Sequence, residues 1–136
     1  ESRVFHVAAP LPSGGALIAA GKLANIRFLE TVERLDASLA EWRSAPPLPE
    51  SRTAPALAVL SNGRVFLCGG LHGSTSGFYH LDDAQIYDEP TDAWTALEPM
   101  NVARVLHTAT PLDDGRVLIV GGLGSSGALA SVELAE

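Results

Sequence analysis

The chain has 136 residues, 46% hydrophobic and only 18% charged, with a net charge of −7. That balance excludes a disordered chain, and the acidity argues against nucleic acid as a partner, since phosphate contacts come largely from Lys and Arg. A single cysteine, Cys68, excludes an internal disulfide and any multi-cysteine metal cluster, and apolar runs such as Val117–Val120 are too short to span a bilayer.

The first apolar segment already belongs to a repeat. Leu11-Pro-Ser-Gly-Gly-Ala-Leu-Ile-Ala-Ala-Gly21 aligns with Leu60-Ser-Asn-Gly-Arg-Val-Phe-Leu-Cys-Gly-Gly70 and with Leu112-Asp-Asp-Gly-Arg-Val-Leu-Ile-Val-Gly-Gly122. Arg3, Arg52 and Arg104 each stand eight residues before the leucine. His6 and His107 stand five before it, with Pro55 at the middle position. Trp42 and Trp94 close the first two copies, and the third copy has no Trp. The unit is about fifty residues, the length of one supersecondary module that stacks on its neighbours.

Each unit reads as short strands in chain order. The first strand of the middle unit is Ala56–Val59. Asn62-Gly63 then predicts a type I′ hairpin with both residues at positive φ, matched by Asp114-Gly115 and more weakly by Ser13-Gly14. The second strands are Ala16–Ala19, Arg64–Cys68 and Val117–Val120. They are apolar at successive positions, which predicts burial on both faces. Gly21, the pair Gly69 and Gly70, and the pair Gly121 and Gly122 end them where backbones must approach closely. A long loop, Leu71–Asp83, precedes the third strand of the middle unit. Third strands are Val32–Asp36, Ala84–Asp88 and Val132–Ala135. Fourth strands open near Trp42 and Trp94 and end at Pro47 and Pro99, which cannot donate to a central ladder. Leu29, Val32, Leu35 and Leu39 also have helical spacing, but alignment with Ala84–Trp94 selects strand there.

The Gly-Gly, Tyr and Trp at this period resemble the kelch repeat. The middle unit carries all of its marks: Gly69, Gly70, Tyr87 and Trp94. The run from Met100 to Gly122 is similar to bacterial kelch proteins and to the propeller domain of galactose-oxidase-like proteins. The resemblance implies an all-β fold of propeller blades, each a four-stranded antiparallel sheet with its first strand innermost. Blade 1 would span about residues 3–49, blade 2 about 50–101, and blade 3, lacking its outermost strand, about 102–136, all within one partial propeller. Ala20 replaces the first Gly of the first unit, and Leu35 and Ala135 replace the Tyr in the outer two.

Propellers typically close with about four to eight blades. Fewer than three leave two apolar faces open, so the expectation is a homodimer that closes a six-bladed ring, with the remainder of a longer propeller as the alternative cover. The resemblance implies a non-catalytic scaffold that binds a protein or a small ligand, or else the scaffold of a larger kelch-type enzyme such as a galactose-oxidase-like copper oxidase.

Candidate binding residues are Arg3, Arg52 and Arg104, expected near one rim of the channel, where guanidinium forks would suit a carboxylate or phosphate. The bland alternative pairs each Arg with a carboxylate of its own or a neighbouring blade. His6 and His107 follow each by three residues and could face the channel. His72, Tyr79 and His80 sit on the long loop, where binding residues concentrate. His6 and His107 have no matching carboxylate and Pro55 breaks their series, and His72 and His80 lack ligand spacing, so no metal site is expected, and no cofactor. Cys68 reads as a buried, inert thiol. No nucleophile elbow and no phosphate-binding loop is present. The start Glu1-Ser2-Arg3 shows no leader pattern, and a processed chain would read the same, so the compartment stays open.

Overall fold

Gly and Pro interrupt the chain at short intervals except across 22–45, where the spacing of apolar residues would also allow a helix. The computed structural model describes residues 1–24, 26–38 and 40–136, and all of its regular structure is β. Leu39, one of the residues with helical spacing, lies outside the described residues.

The first sheet orders β1 (Val7–Pro10), β2 (Ala16–Ala19), β3 (Val32–Leu35) and β4 (Trp42–Ala45) side by side. The middle sheet holds β5 (Ala56–Val59) and β6 (Val65–Cys68). A separate hairpin follows, β7 (Leu71–Ser74) with β8 (Gly77–His80). Then β9 (Ala84–Asp88) pairs with β6, and β10 (Ala93–Leu97) with β9. The third sheet contains β11 (Thr108–Pro111), β12 (Val117–Val120) and β15 (Val132–Ala135), with a small hairpin of β13 (Leu123–Gly124) and β14 (Gly127–Ala128). All pairings are antiparallel, as expected of propeller blades, and β5 lies between β1 and β11 where the sheets converge.

Two expectations are corrected. The hairpin after Leu60 is not type I′. Gly63 lies at φ +81°, but Asn62 is not at positive φ. Leu60 N–H donates to Arg64 O and Gly63 N–H to Leu60 O. This is a three-residue loop closing in a glycine bulge, which turns the chain with one left-handed residue instead of two. Gly14 and Gly115 repeat it at φ +95° and +89°. The second correction is Leu71–Asp83, which is not an open loop: its first ten residues form the β7–β8 hairpin, with Leu71 opposite His80 and Ser74 opposite Gly77.

Two apolar layers hold the sheets together. Leu17, Ala19 and Val32 of the first sheet pack on Val65, Leu67 and Tyr87. On the other side, Phe66, Cys68 and Ala84 pack on Val117 and Ile119 of the third. Burial on both faces therefore holds throughout β6, where all four residues are buried, and not in the outer sheets. Val120, Val132 and Leu134 stay exposed on one end face, and Trp42 on the other.

Candidate functional site

The three arginines reach the same place in each sheet. Arg52 donates to Gly69 O at the end of β6 (3.2 Å) and to both carboxylate oxygens of Asp83 (2.6 and 2.8 Å). Arg104 donates to Gly121 O (2.9 Å), Ser131 Oγ (3.0 Å) and Glu133. Arg3 donates to Ala20 O (3.0 Å), Thr31 Oγ1 (3.3 Å) and Glu33 (2.5 Å). Arg52 and Arg104 are wholly buried. Each guanidinium fork joins the end of its own second strand to the start of the third, and the carboxylates neutralise it. Their main chains tie to the preceding sheet: Gly21 N–H donates to Arg52 O, and Gly70 N–H to Arg104 O. A Cβ on Gly69 would stand 2.6 Å from that Arg104 carbonyl, which explains the glycine.

The acid shifts by two residues between sheets. The outer sheets use a hydroxyl and then a glutamate, Thr31 with Glu33 and Ser131 with Glu133. The middle sheet uses Asp83 with Gln85, and Gln85 donates to Asp83 (3.2 Å). Each arginine keeps one carboxylate at the start of the third strand, and Arg3 has a second, Glu1, at 3.9 Å.

His107 is buried between the middle and third sheets, its Nε2 3.3 Å from Cys68 Sγ. Burial, reinforced by Arg104, pushes its imidazole down to about 4, and burial pushes the Cys68 thiol up to about 12. Both groups are neutral at pH 7, the state of a packed pair and not of a nucleophile with its base. His6 is exposed on the open face of the first sheet, in a hollow with Arg3, Ile18, Glu33 and Trp42. His72 and Tyr79 pair across the β7–β8 hairpin with ring centroids 4.7 Å apart. His72 Nδ1 lies 2.7 Å from Ser51 O, and Tyr79 O–H donates to Glu50. Tyr87 and Trp94 pack with ring centroids 5.2 Å apart and planes tilted by 50°, and Trp94 Nε1 donates to Pro46 O of the first sheet. Among the described residues no three His, Cys, Asp or Glu side chains converge as metal ligands would.

Reasoning from sequence missed the residues beside the arginines. Phe5, Ala54 and Leu106 occupy equivalent positions just before the first strands, and all three are left-handed, at φ 55°, 48° and 58°. A non-glycine residue is rarely held there. Phe5 is 59% and Leu106 61% exposed. With Ile26, Phe28, Phe78 and Leu123 they line one apolar hollow at the end of the converging strands, and His80 and Lys22 stand on its wall. Phe28 and Phe78 face each other at 5.8 Å, and Phe28 fills the space over Gly73, where a Cβ would stand 2.3 Å from its ring. Lys22 Nζ lies 5.6 Å from the centre of the Phe5 ring. The chain has 16 Asp and Glu, and none lines this hollow. The signal that could have located it was the set of apolar residues two after each recurrent arginine.

Comparison with known proteins finds kelch-repeat relatives. The Kelch motif matches residues 52–101. Kelch-like protein 35 of Mus musculus is 31% identical over 111 residues, 82% of this chain and 18% of that protein. An F-box/kelch-repeat protein of Arabidopsis thaliana is 31% identical over 97 residues, 70% of this chain and 20% of its own length. Kelch-like protein 41a of Danio rerio is 28% identical over 136 residues, 91% of this chain and 22% of that protein. The chain thus spans about a fifth of the length of these relatives.

Proposed function

We propose, from the premise that this chain is a kelch-repeat protein, that it is a non-catalytic scaffold which binds a protein partner at its apolar end. The carrying observation is the carboxylate-free hollow around Phe5, Leu106 and Phe78 in an otherwise acidic chain. Phe5 and Leu106, large apolar side chains held outward on left-handed residues, cost conformational energy, and such strain concentrates at binding sites. An exposed apolar patch of this kind fits an interface. The partner is a polypeptide segment with apolar anchors and a carboxylate to meet Lys22. In this reading Arg3, Arg52 and Arg104 fix the rim, and His80 and Tyr79 on the β7–β8 hairpin border the partner. His6, His72 and His107 lie to the side or beneath.

Selection of peptides from a displayed library on the intact chain tests this. Peptides with apolar anchors should be enriched, and Leu106→Asp and Phe78→Asp should each weaken them at least tenfold. Both residues are exposed, so the fold should survive. Selected peptides that bind the variants as well as the parent would sink the assignment.

A second reading concerns the end faces. Val120, Val132 and Leu134 on one and Ile18 and Trp42 on the other are the positions that contact neighbouring sheets elsewhere in the chain. We propose that a second copy covers them, third sheet against first, in a two-fold six-sheet ring. Light scattering should then give twice the chain mass, and a stable monomer would refute the ring.

A further inference from the structure

The two internal seams between sheets are built from the same repeat, and they differ in one side chain. At the seam between the middle and third sheets the imidazole of His107 lies over Gly69. A Cβ there would stand 2.7 Å from its Cε1 and 3.0 Å from Met100 Cε. At the seam between the first and middle sheets the matching residue is Pro55, which carries no titratable group. Both seams have a sheet on each side, so the difference belongs to the side chains.

The surroundings of His107 suit only its neutral ring. The residue is 7% exposed, and its Nδ1 is buried with no hydrogen-bond partner among the described residues. Its Nε2 faces Cys68 Sγ at 3.3 Å, a thiol and not a carboxylate. A protonated imidazole carries a donor on each nitrogen, so its Nδ1–H would be an unpaired, charged donor in a buried place. The charged groups around it give little relief. Arg104, just before β11, is a wholly buried cation. Glu133 of β15 is already engaged by Arg104 and Asn101, and on the middle-sheet side Asp83 is held by both prongs of Arg52. Burial first, and then the charge of Arg104, push the imidazole from its ordinary 6.5 down to about 4, and the charge of Glu133 opposes this without offsetting it.

We propose that the seam between the middle and third sheets is an acid-released latch: protonation of His107 parts the two sheets and uncovers Cys68, while the seam at Pro55 stays closed. The sign follows from the buried ring. Between pH 6.5 and about 4 the open form takes up a proton that the closed form refuses. Closure is therefore complete above pH 6.5 and is lost as pH falls through that window. One proton is taken up, so the ratio of closed to open should fall about tenfold per pH unit. Glu133, held below its ordinary 4.5, adds its own loss only at lower pH. The latch works between two sheets and needs no partner, so it stands or falls independently of the site proposed at the apolar end.

Cys68 is the only thiol in the chain and is wholly buried, so its labelling reports this seam. Labelling of the 136-residue chain with dithiodipyridine, a disulfide that reacts with thiols in acid, provides the test. Relative to the chain in urea, the rate should rise about tenfold per pH unit below pH 6.5. His107→Gln removes the titrating group and keeps His6, His72 and His80, and it should flatten that rise. No rise in the parent, or an equal rise in the variant, overturns the proposal. The Trp94 indole N–H, which donates to Pro46 O across the other seam, should keep its exchange protection at the same pH. Its loss together with the uncovering of Cys68 would mean that the whole chain unfolds, and would also overturn the latch. Should His107→Gln fail to fold, the ring-proton resonance of His107 in the parent decides. It should hold its neutral position in the closed form down to about pH 4.5, and titration near 6.5 in the closed form refutes the latch.

Discussion

The middle sheet and the third sheet are built from the same repeat, and they differ in what lies on either side. Residues of β6 are buried on both faces, so Phe66 and Leu67 are equally inaccessible though they point opposite ways. In β12 the alternation returns: Ile119 is 1% exposed, and its neighbour Val120 is 38% exposed. An apolar strand thus reports what its sheet can bury when both neighbours are present, not what one chain buries. The first sheet gives the mirror case. Trp94 is half-buried and bonds to Pro46 O, whereas Trp42 is 50% exposed on the open face.

The sharpest way to break this comparison is to place the same charge on both faces of one strand. Ile119→Asp puts an unpaired carboxylate between two sheets and should unfold the chain or cost more than about 4 kcal/mol. Val120→Asp, one residue on, should leave the fold within about 1 kcal/mol and should lower any self-association. Urea denaturation and light scattering read the two effects separately. Equal destabilisation by both would mean that the third sheet is covered on both sides in solution.

The arginine hubs provide a finer comparison. Each sheet pairs one guanidinium with a carboxylate near the start of its third strand, yet that acid comes from Glu33, Asp83 or Glu133, two residues apart in register. Removing the acid leaves a buried cation unpaired, so Asp83→Ser should cost about 3 kcal/mol. The double variant Asp83→Ser, Gln85→Glu copies the third sheet and should recover most of that loss in chemical denaturation. A double variant no more stable than the single would show that the position of the acid, and not its presence, fixes Arg52. The third-sheet version already works in its own context: although burial pushes Glu133 up, donors from Asn101 and Arg104 hold it below the usual carboxylate range.

Much of this architecture was legible before any coordinates. The recurrent Leu, Gly-Gly and Trp located the strands because each marks a physical boundary: a turn, a close backbone approach, a packed edge. The apolar end escaped notice because Phe5, Ala54 and Leu106 share only apolarity, which reads as core, and a left-handed backbone that side-chain identity does not announce. The β7–β8 hairpin escaped because Gly73 and the Ser/Thr run read as loop. It forms where Phe28 packs over that glycine, a contact distant in sequence. The arginines recur in register in the three sheets, but a sequence does not show whether a guanidinium turns outward or folds back onto a strand end.

The smallest expected effect concerns the one unit that breaks the Gly-Gly rule. Ala20 is left-handed at φ 62° and fully buried, where the other two sheets have Gly69 and Gly121. At Gly69 an added methyl would stand 2.7 Å from His107 Cε1 as well as against Arg104 O. The residue at His107's place over the first sheet is Pro55, which has no imidazole to project over Ala20. The methyl and the missing ring therefore go together. Left-handed Ala costs about 1–2 kcal/mol, but Gly in its place gains unfolded entropy and loses a buried methyl, so Ala20→Gly should change stability by less than about 1 kcal/mol. Gly121→Ala meets nothing closer than Leu129 O at 3.6 Å, so it should cost the backbone strain alone, about 1–2 kcal/mol. A loss well above that in thermal denaturation would mean that another sheet packs on Gly121 in solution as His107 packs on Gly69. The same small substitution would then report whether the end face of the third sheet is occupied.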